Sequence, residues 1–111
     1  MINVLVVLAI AAPSPNMEER RVYVKPKVDH RVKVIRPYRP WLRALAWCES
    51  TNRPWAVDPS GTYFGLYQFD VQTWYSVGGR GMPNQASRRE QSYRAVILRQ
   101  RRGTAPWPVC G

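Results

Sequence analysis

The chain of 111 residues suffices for one compact domain and a tail, which excludes a two-domain enzyme with its own cofactor domain. A hydrophobic fraction of 45%, with five Trp and six Tyr, excludes wholesale disorder. A net charge of +10 calls for a polyanionic partner: nucleic acid, an anionic cell-surface polymer or an acidic membrane. With one histidine, His30, and two cysteines, the chain lacks the ligands for a His/Cys zinc site, and no metal or cofactor is implied.

Ile2 to Ala12 is an apolar run of eleven residues, short of the roughly 20 that a membrane-spanning helix needs. Residues 1–12 suit the apolar part of an export signal, with Ala9, Ala11 and Ala12 as small residues for cleavage, although no Lys or Arg precedes them. Residues 13–40 carry five prolines, eight basic and three acidic residues, and read as a basic, semi-extended linker with at most a short edge strand. Residues 41–111 form the folded domain. Pro40 can start a helix that runs from Trp41 to Ser50, and Pro54 forbids its continuation. Pro54 to Gly65 is a loop. Asp70 caps a short second helix to Val77, ended by Gly78 and Gly79. Ser87 and Glu90 form a capping box for the third helix, which Gly103 closes, and Tyr93, Val96, Ile97 and Gln100 share one of its faces. The fold class is mainly α, α+β at most. Cys48 and Cys110, 62 positions apart, most simply pair and staple the end of the domain to its first helix; two free thiols are the alternative.

Of the four acids in this domain, Glu49 ends the apolar stripe of Leu42, Leu45 and Ala46. A carboxyl so placed is partly desolvated, its pKa rises, and it becomes a general acid usable near neutral pH. The bland alternative is a surface ion pair with Arg53, four positions on. Asp58 reads as a turn initiator and Asp70 as a helix cap, and Trp41 and Trp107 as core.

The strings Cys48-Glu49-Ser50, Gly65-Leu66-Tyr67-Gln68-Phe69, Gln72-Thr73-Trp74 and Trp107-Pro108-Val109-Cys110 together resemble the resuscitation-promoting-factor domain of actinobacteria over residues 41–110. Glu49-Ser50 followed by Gly65-Leu66-Tyr67-Gln68 is also similar to the lytic transglycosylases. The resemblance implies a small lysozyme-like, muralytic domain in which Glu49 is the catalytic acid/base and Cys48 and Cys110 form the disulfide. It places Thr73 on the wall of the sugar groove, with Tyr63, Gln68 and Trp74 lining it. Arg102 stands where a substrate-contacting Gln is common, and Pro54 and Pro59 where Gly and Asn are.

The same resemblance implies cleavage of the β-1,4 bond between N-acetylmuramic acid and N-acetylglucosamine in peptidoglycan, and the cysteine pair and signal-like segment suit a secreted or wall-associated protein, expected to be a monomer. Its basic arm would hold anionic wall polymers. Three alternatives stand beside this: a peptidoglycan-binding module with little activity, a phage-encoded wall-penetrating or lysis factor, and a nucleic-acid binder. The last is motivated by Arg88, Arg89, Arg94, Arg99, Arg101 and Arg102, but no recognition motif accompanies them.

Overall fold

A computed structural model describes residues 24–111, and the signal-like residues 1–12 lie outside them. Among the described residues four α-helices occur in order: α1, His30–Ile35; α2, Arg39–Ser50; α3, Val71–Ser76; and α4, Arg88–Arg102. Single 3-10 turns at Arg36–Tyr38 and Pro83–Gln85 lead into α2 and toward α4. Among the described residues there is no strand, only the isolated antiparallel bridges Val57–Phe64 and Phe64–Phe69. No described helix is long and apolar enough to cross a membrane.

The expected extended arm stops short of Pro40. Val24 to Asp29 is exposed and irregular, but from His30 the chain is helical and packed. The Asp29 carboxylate caps α1 by accepting from Arg31 N at 2.7 Å. Ile35 enters the core, and Arg31 reaches across to Glu90 on α4 at 2.6 Å. Glu90 also binds Arg94 at 2.7 Å, so its carboxylate does not fold back to close the expected capping box. Only the Ser87 half of that box forms, with Glu90 N donating to Ser87 Oγ at 3.1 Å. Burial would raise the pKa of Glu90, but its hydrogen bonds to Arg94 and Arg31 and their charges outweigh this and leave it lowered.

Helix α2 begins at Arg39, with Pro40 supplying a pre-set φ where an N–H has no helical partner anyway. It ends without glycine: Thr51 at φ 52° and Asn52 at φ 62° are both left-handed. Thr51 N donates to Trp47 O at 3.1 Å and Asn52 N to Ala46 O at 3.0 Å, satisfying carbonyls that the helix end would orphan.

The core joins Leu42, Leu45 and Ala46 of α2 to Leu66, Phe69, Trp74, Val77 and Trp107 around α4. The deepest row of α4 is Gln91, Ala95 and Leu98, with Val96 beside it; Gln100, expected on the apolar face, is exposed. Tyr93 and Ile97 are partly covered, and His30 of α1 meets the Tyr93 ring edge-on at 6.1 Å. The helix thus buries two flanks, one under the loop and one under α1, and its apolar arc is wider than one stripe.

A polar side chain sits in the centre of this core. Gln91 is fully buried, accepts from Leu66 N at 2.8 Å, and donates to Pro54 O at 3.1 Å and Ala86 O at 2.9 Å. Gly65, at φ +84°, passes so close that a Cβ there would overlap the Gln91 Oε1.

Cys48 and Cys110 are bonded, with Cα atoms 5.8 Å apart. The bond returns the C-terminal tail to α2, where Trp41 packs edge-on against Trp107 at 5.2 Å. Trp107 also donates to Tyr67 O at 2.9 Å.

Two stability measurements check this account. Gln91→Leu keeps the volume but removes the partner of the buried Leu66 N–H and of the half-buried Pro54 and Ala86 carbonyls, so it should lower unfolding free energy by about 2 kcal/mol in urea titrations. Reduction of the disulfide, or Cys48→Ser with Cys110→Ser, reopens a loop of 62 residues and should cost about 4 kcal/mol.

Candidate active site

An open depression of about 360 Å³ lies between the loop that precedes α3, the end of α4 and the C-terminal tail. Tyr63, Gln68, Thr73 and Arg102 all line it, so four of the five sugar-contact residues expected from the sequence meet at one place. Phe69 and Trp107 contribute apolar surface, and Ala105, Pro106 and Pro108 form a wall of tail residues not anticipated from the sequence.

Trp74 is the exception. It is 0% exposed, its indole N–H donates to Arg80 O at 3.2 Å, and its ring packs edge-on against Phe69 at 5.1 Å. It is core, not groove wall. Thr73, one position earlier on the short α3, therefore points elsewhere around the helix and reaches the depression. Its hydroxyl donates to Asp70 Oδ2 at 2.8 Å while Thr73 N donates to Asp70 Oδ1 at 2.8 Å, so the capping aspartate also orients the threonine. The oxygen of Thr73 is thus left free to accept.

The loop that carries Tyr63 is built on Asp58. Its carboxylate accepts from Ser60 N and Oγ, from Thr62 N at 2.8 Å and from Tyr63 N at 2.9 Å. The Ser60 hydroxyl, followed by the amide donors, holds the Asp58 pKa down to about 2. Gln68 is left-handed at φ 53°, and its side-chain amide donates to Gly65 O at 2.9 Å. A non-glycine residue in that conformation at a groove wall is strain held by its surroundings.

Glu49 sits in the last turn of α2, half-buried, and among the described residues nothing donates to its carboxylate. Desolvation by burial raises its pKa, and the negative end of the helix dipole acts in the same direction. The ion pair with Arg53 does not form: Arg53 Nε donates instead to Ser50 O at 2.8 Å and to Thr51 Oγ1 at 3.0 Å. Glu49 does not itself line the depression, but the disulfide joins its neighbour Cys48 to the tail that does. From Pro108, on the wall, the path through Cys110 and Cys48 to Glu49 spans at most about 17 Å between Cα atoms.

Most arginines of α4 are engaged within the fold. Arg88 binds Asn52, Arg89 Asp29, Arg94 Glu90, and Arg101 the Ser76 carbonyl. Arg99 stacks over Trp41 at 4.4 Å. Among the described residues, no three His, Cys, Asp or Glu side chains come together as a metal site would require.

A helical domain closed by one disulfide, with a half-buried glutamate at the end of α2 and a polar and aromatic groove walled by the disulfide-bonded tail, is a small lysozyme-like domain. The family model of the transglycosylase-like domain matches residues 37–110, and the chain belongs to that family. It is similar to the resuscitation-promoting factor Rpf of Micrococcus luteus, at 44% identity over 66 residues that make up 60% of this chain and 29% of that protein. It is also similar to RpfE of Mycobacterium tuberculosis, 38% identical over 61% of this chain and 39% of the relative. With RpfB of Mycolicibacterium smegmatis it shares 40% identity over 60% of this chain and 19% of the relative. The chain therefore spans well under half the length of these three relatives.

Asp58→Ala should free the loop that positions Tyr63, and hydrogen exchange of the Ser60, Thr62 and Tyr63 amides should quicken while that of α4 is unchanged. The carboxylate is depressed from its ordinary 3.8 to about 2, so its contribution is complete above the ordinary value and disappears as pH falls toward about 2. The same amides in the native chain should lose protection over that window.

Proposed function

We propose that the chain is a muralytic glycosidase that cleaves the β-1,4 bond between N-acetylmuramic acid and N-acetylglucosamine in peptidoglycan, with Glu49 as its single acid/base. The observation that carries this reading is a half-buried Glu49 with raised pKa and no partner among the described residues, its neighbour Cys48 tied by the disulfide to a tail that walls the groove. Membership of the transglycosylase-like family and similarity to resuscitation-promoting factors support it.

Protonated Glu49 donates its proton to the glycosidic oxygen, the C1–O bond of the muramic residue breaks, and positive charge develops at C1. Attack by water would call for a second carboxylate to activate it or to shield the cation. Asp58 is engaged by four donors of its own loop and Asp70 by two from Thr73, so neither is disposed for that task. This favours attack by the muramic 6-hydroxyl, whose proton passes to the Glu49 carboxylate as the new C1–O bond closes a 1,6-anhydro ring. In this reading Tyr63 offers stacking surface, while Thr73, Gln68 and Arg102 hydrogen-bond the sugar hydroxyl and acetamido groups.

The working unit in this reading includes α1, because Arg31 and Ile35 bind it to α4 and the core. The domain acts outside the cytoplasm, where a disulfide persists. The basic residues from Lys25 onward hold it to wall polyanions.

Mass spectrometry of soluble products from purified peptidoglycan tests the proposal. The full chain should release 1,6-anhydro muropeptides, and Glu49→Gln should lower kcat by about a hundredfold to ten-thousandfold with the fold intact. Products with reducing ends would replace the intramolecular route by hydrolysis. No release from a folded, oxidised chain would leave a glycan-binding module. Because burial raises the Glu49 pKa, the active acid form should persist above the ordinary 4.5 and activity should fall as pH rises through the raised value.

A further inference from the structure

A second groove, of about 310 Å³, runs between α2 and the start of α4 and shares no lining residue with the depression described above. Arg39 and Arg43, one turn apart on α2, and Arg88, the first residue of α4, stand around it; Leu42, Ala46 and Leu66 supply its apolar floor. The ion pairs among the described residues are made by Arg31, Arg89 and Arg94, so no described carboxylate compensates these three guanidiniums.

Their placement works against the helices that carry them. Arg39 opens α2 and Arg88 opens α4, where the positive end of the helix dipole disfavours a cation. Three arginines therefore bring positive charge around one apolar-floored groove. Arg88 is also fixed in place: its guanidinium donates to Asn52 Oδ1 at 3.0 Å and to Asn52 O at 3.2 Å, and Asn52 is the left-handed residue just beyond α2. Trp47, one turn on from Arg43 and 57% exposed, extends the row along α2.

We infer that this groove docks a short acidic peptide with small apolar side chains, the chemistry of the stem borne by muramic acid; the inference rests on peptidoglycan being the substrate. Carboxylates meet the arginine rim and alanine methyl groups meet Leu42, Ala46 and Leu66. A polyol phosphate or a nucleic-acid backbone would match the rim and leave that floor unused. Docking the stem outside the sugar groove would position the glycan strand without crowding the bond to be cut.

The probe is a synthetic sugar-free tetrapeptide of two alanines, a glutamate and a diamino diacid, titrated into the full oxidised chain carrying Glu49→Gln. Saturable binding is expected, with shifts in the Trp47 signals. It should weaken about tenfold when Arg39→Gln and Arg43→Gln are combined, as removal of two exposed charge contacts allows. Binding should also weaken with salt and be largely kept by Arg43→Lys. Thermal melting of the double variant, at exposed positions, should match that of the parent. Absence of saturable binding, equal binding by the double variant, or tighter binding of a glycerol-phosphate oligomer or DNA than of the peptide overturns the inference. Parallel cleavage of intact purified peptidoglycan by the native chain separates the two readings. Cleavage without peptide binding overturns the docking groove alone, whereas peptide binding without cleavage overturns the glycosidase reading and leaves acidic-peptide docking standing.

Discussion

The buried amide of Gln91 is the interaction on which the rest of the domain depends. Residues 51–70 have neither a helix nor a ladder of strands to satisfy their backbone, yet Ala56, Leu66, Tyr67 and Phe69 are buried. Buried peptide groups need partners, and Gln91 serves one N–H and two carbonyls from three separate segments. Gly65 is required for the same reason, because only a residue without a Cβ lets the backbone pass the Gln91 oxygen. Tyr63 and Gln68 reach the groove from a loop whose inner side is fastened at Leu66 and whose outer side is fastened at Asp58.

The disulfide does for the tail what Gln91 does for the loop. Trp107 is buried against Trp41 and Phe69 and bonded to the Tyr67 carbonyl, yet Thr104, Ala105, Pro108 and Val109 around it are exposed. Without the bond to Cys48 the segment would be held by one aromatic side chain. With it, the wall of the groove is joined covalently to the helix that bears Glu49. For a domain this small, a cross-link of that span is a large share of total stability.

Those features that rest on local chemistry are legible in the sequence. Asp70 and Ser87 cap their helices because a short oxygen-bearing side chain before a helical run satisfies amides two or three positions on. The pairing of Cys48 with Cys110 and the burial of Glu49 at the end of an apolar stripe are legible for similar reasons. Features decided by tertiary contacts are not. Helix α1 lies in a stretch whose prolines and alternating valines suggest extension; it is stabilised by Ile35 in the core and by Arg31 on Glu90, a partner 59 positions away. The motif puts Trp74 on the groove, whereas the face it occupies on a short helix puts it inside. Gln91 carries no sequence signal, since a glutamine on an arginine-rich helix reads as surface.

The excess of cations makes the state of Glu49 the most demanding feature of the site. In a chain of seventeen Lys and Arg against seven acids, a carboxylate should easily find a guanidinium, and one that does has its pKa lowered and its proton lost. Asp29 and Glu90 do pair with arginines, and Asp58 and Asp70 are taken up by loop and cap donors. The natural partner of Glu49 is Arg53, which a continuing helix would place one turn on and on the same face. The two left-handed residues Thr51 and Asn52 end the helix before that geometry arises and turn Arg53 back onto Ser50 O and Thr51 Oγ1. That same turn aims Asn52 at Arg88. The strained helix end thus keeps Arg53 occupied, and this diversion leaves desolvation by burial to raise the Glu49 pKa.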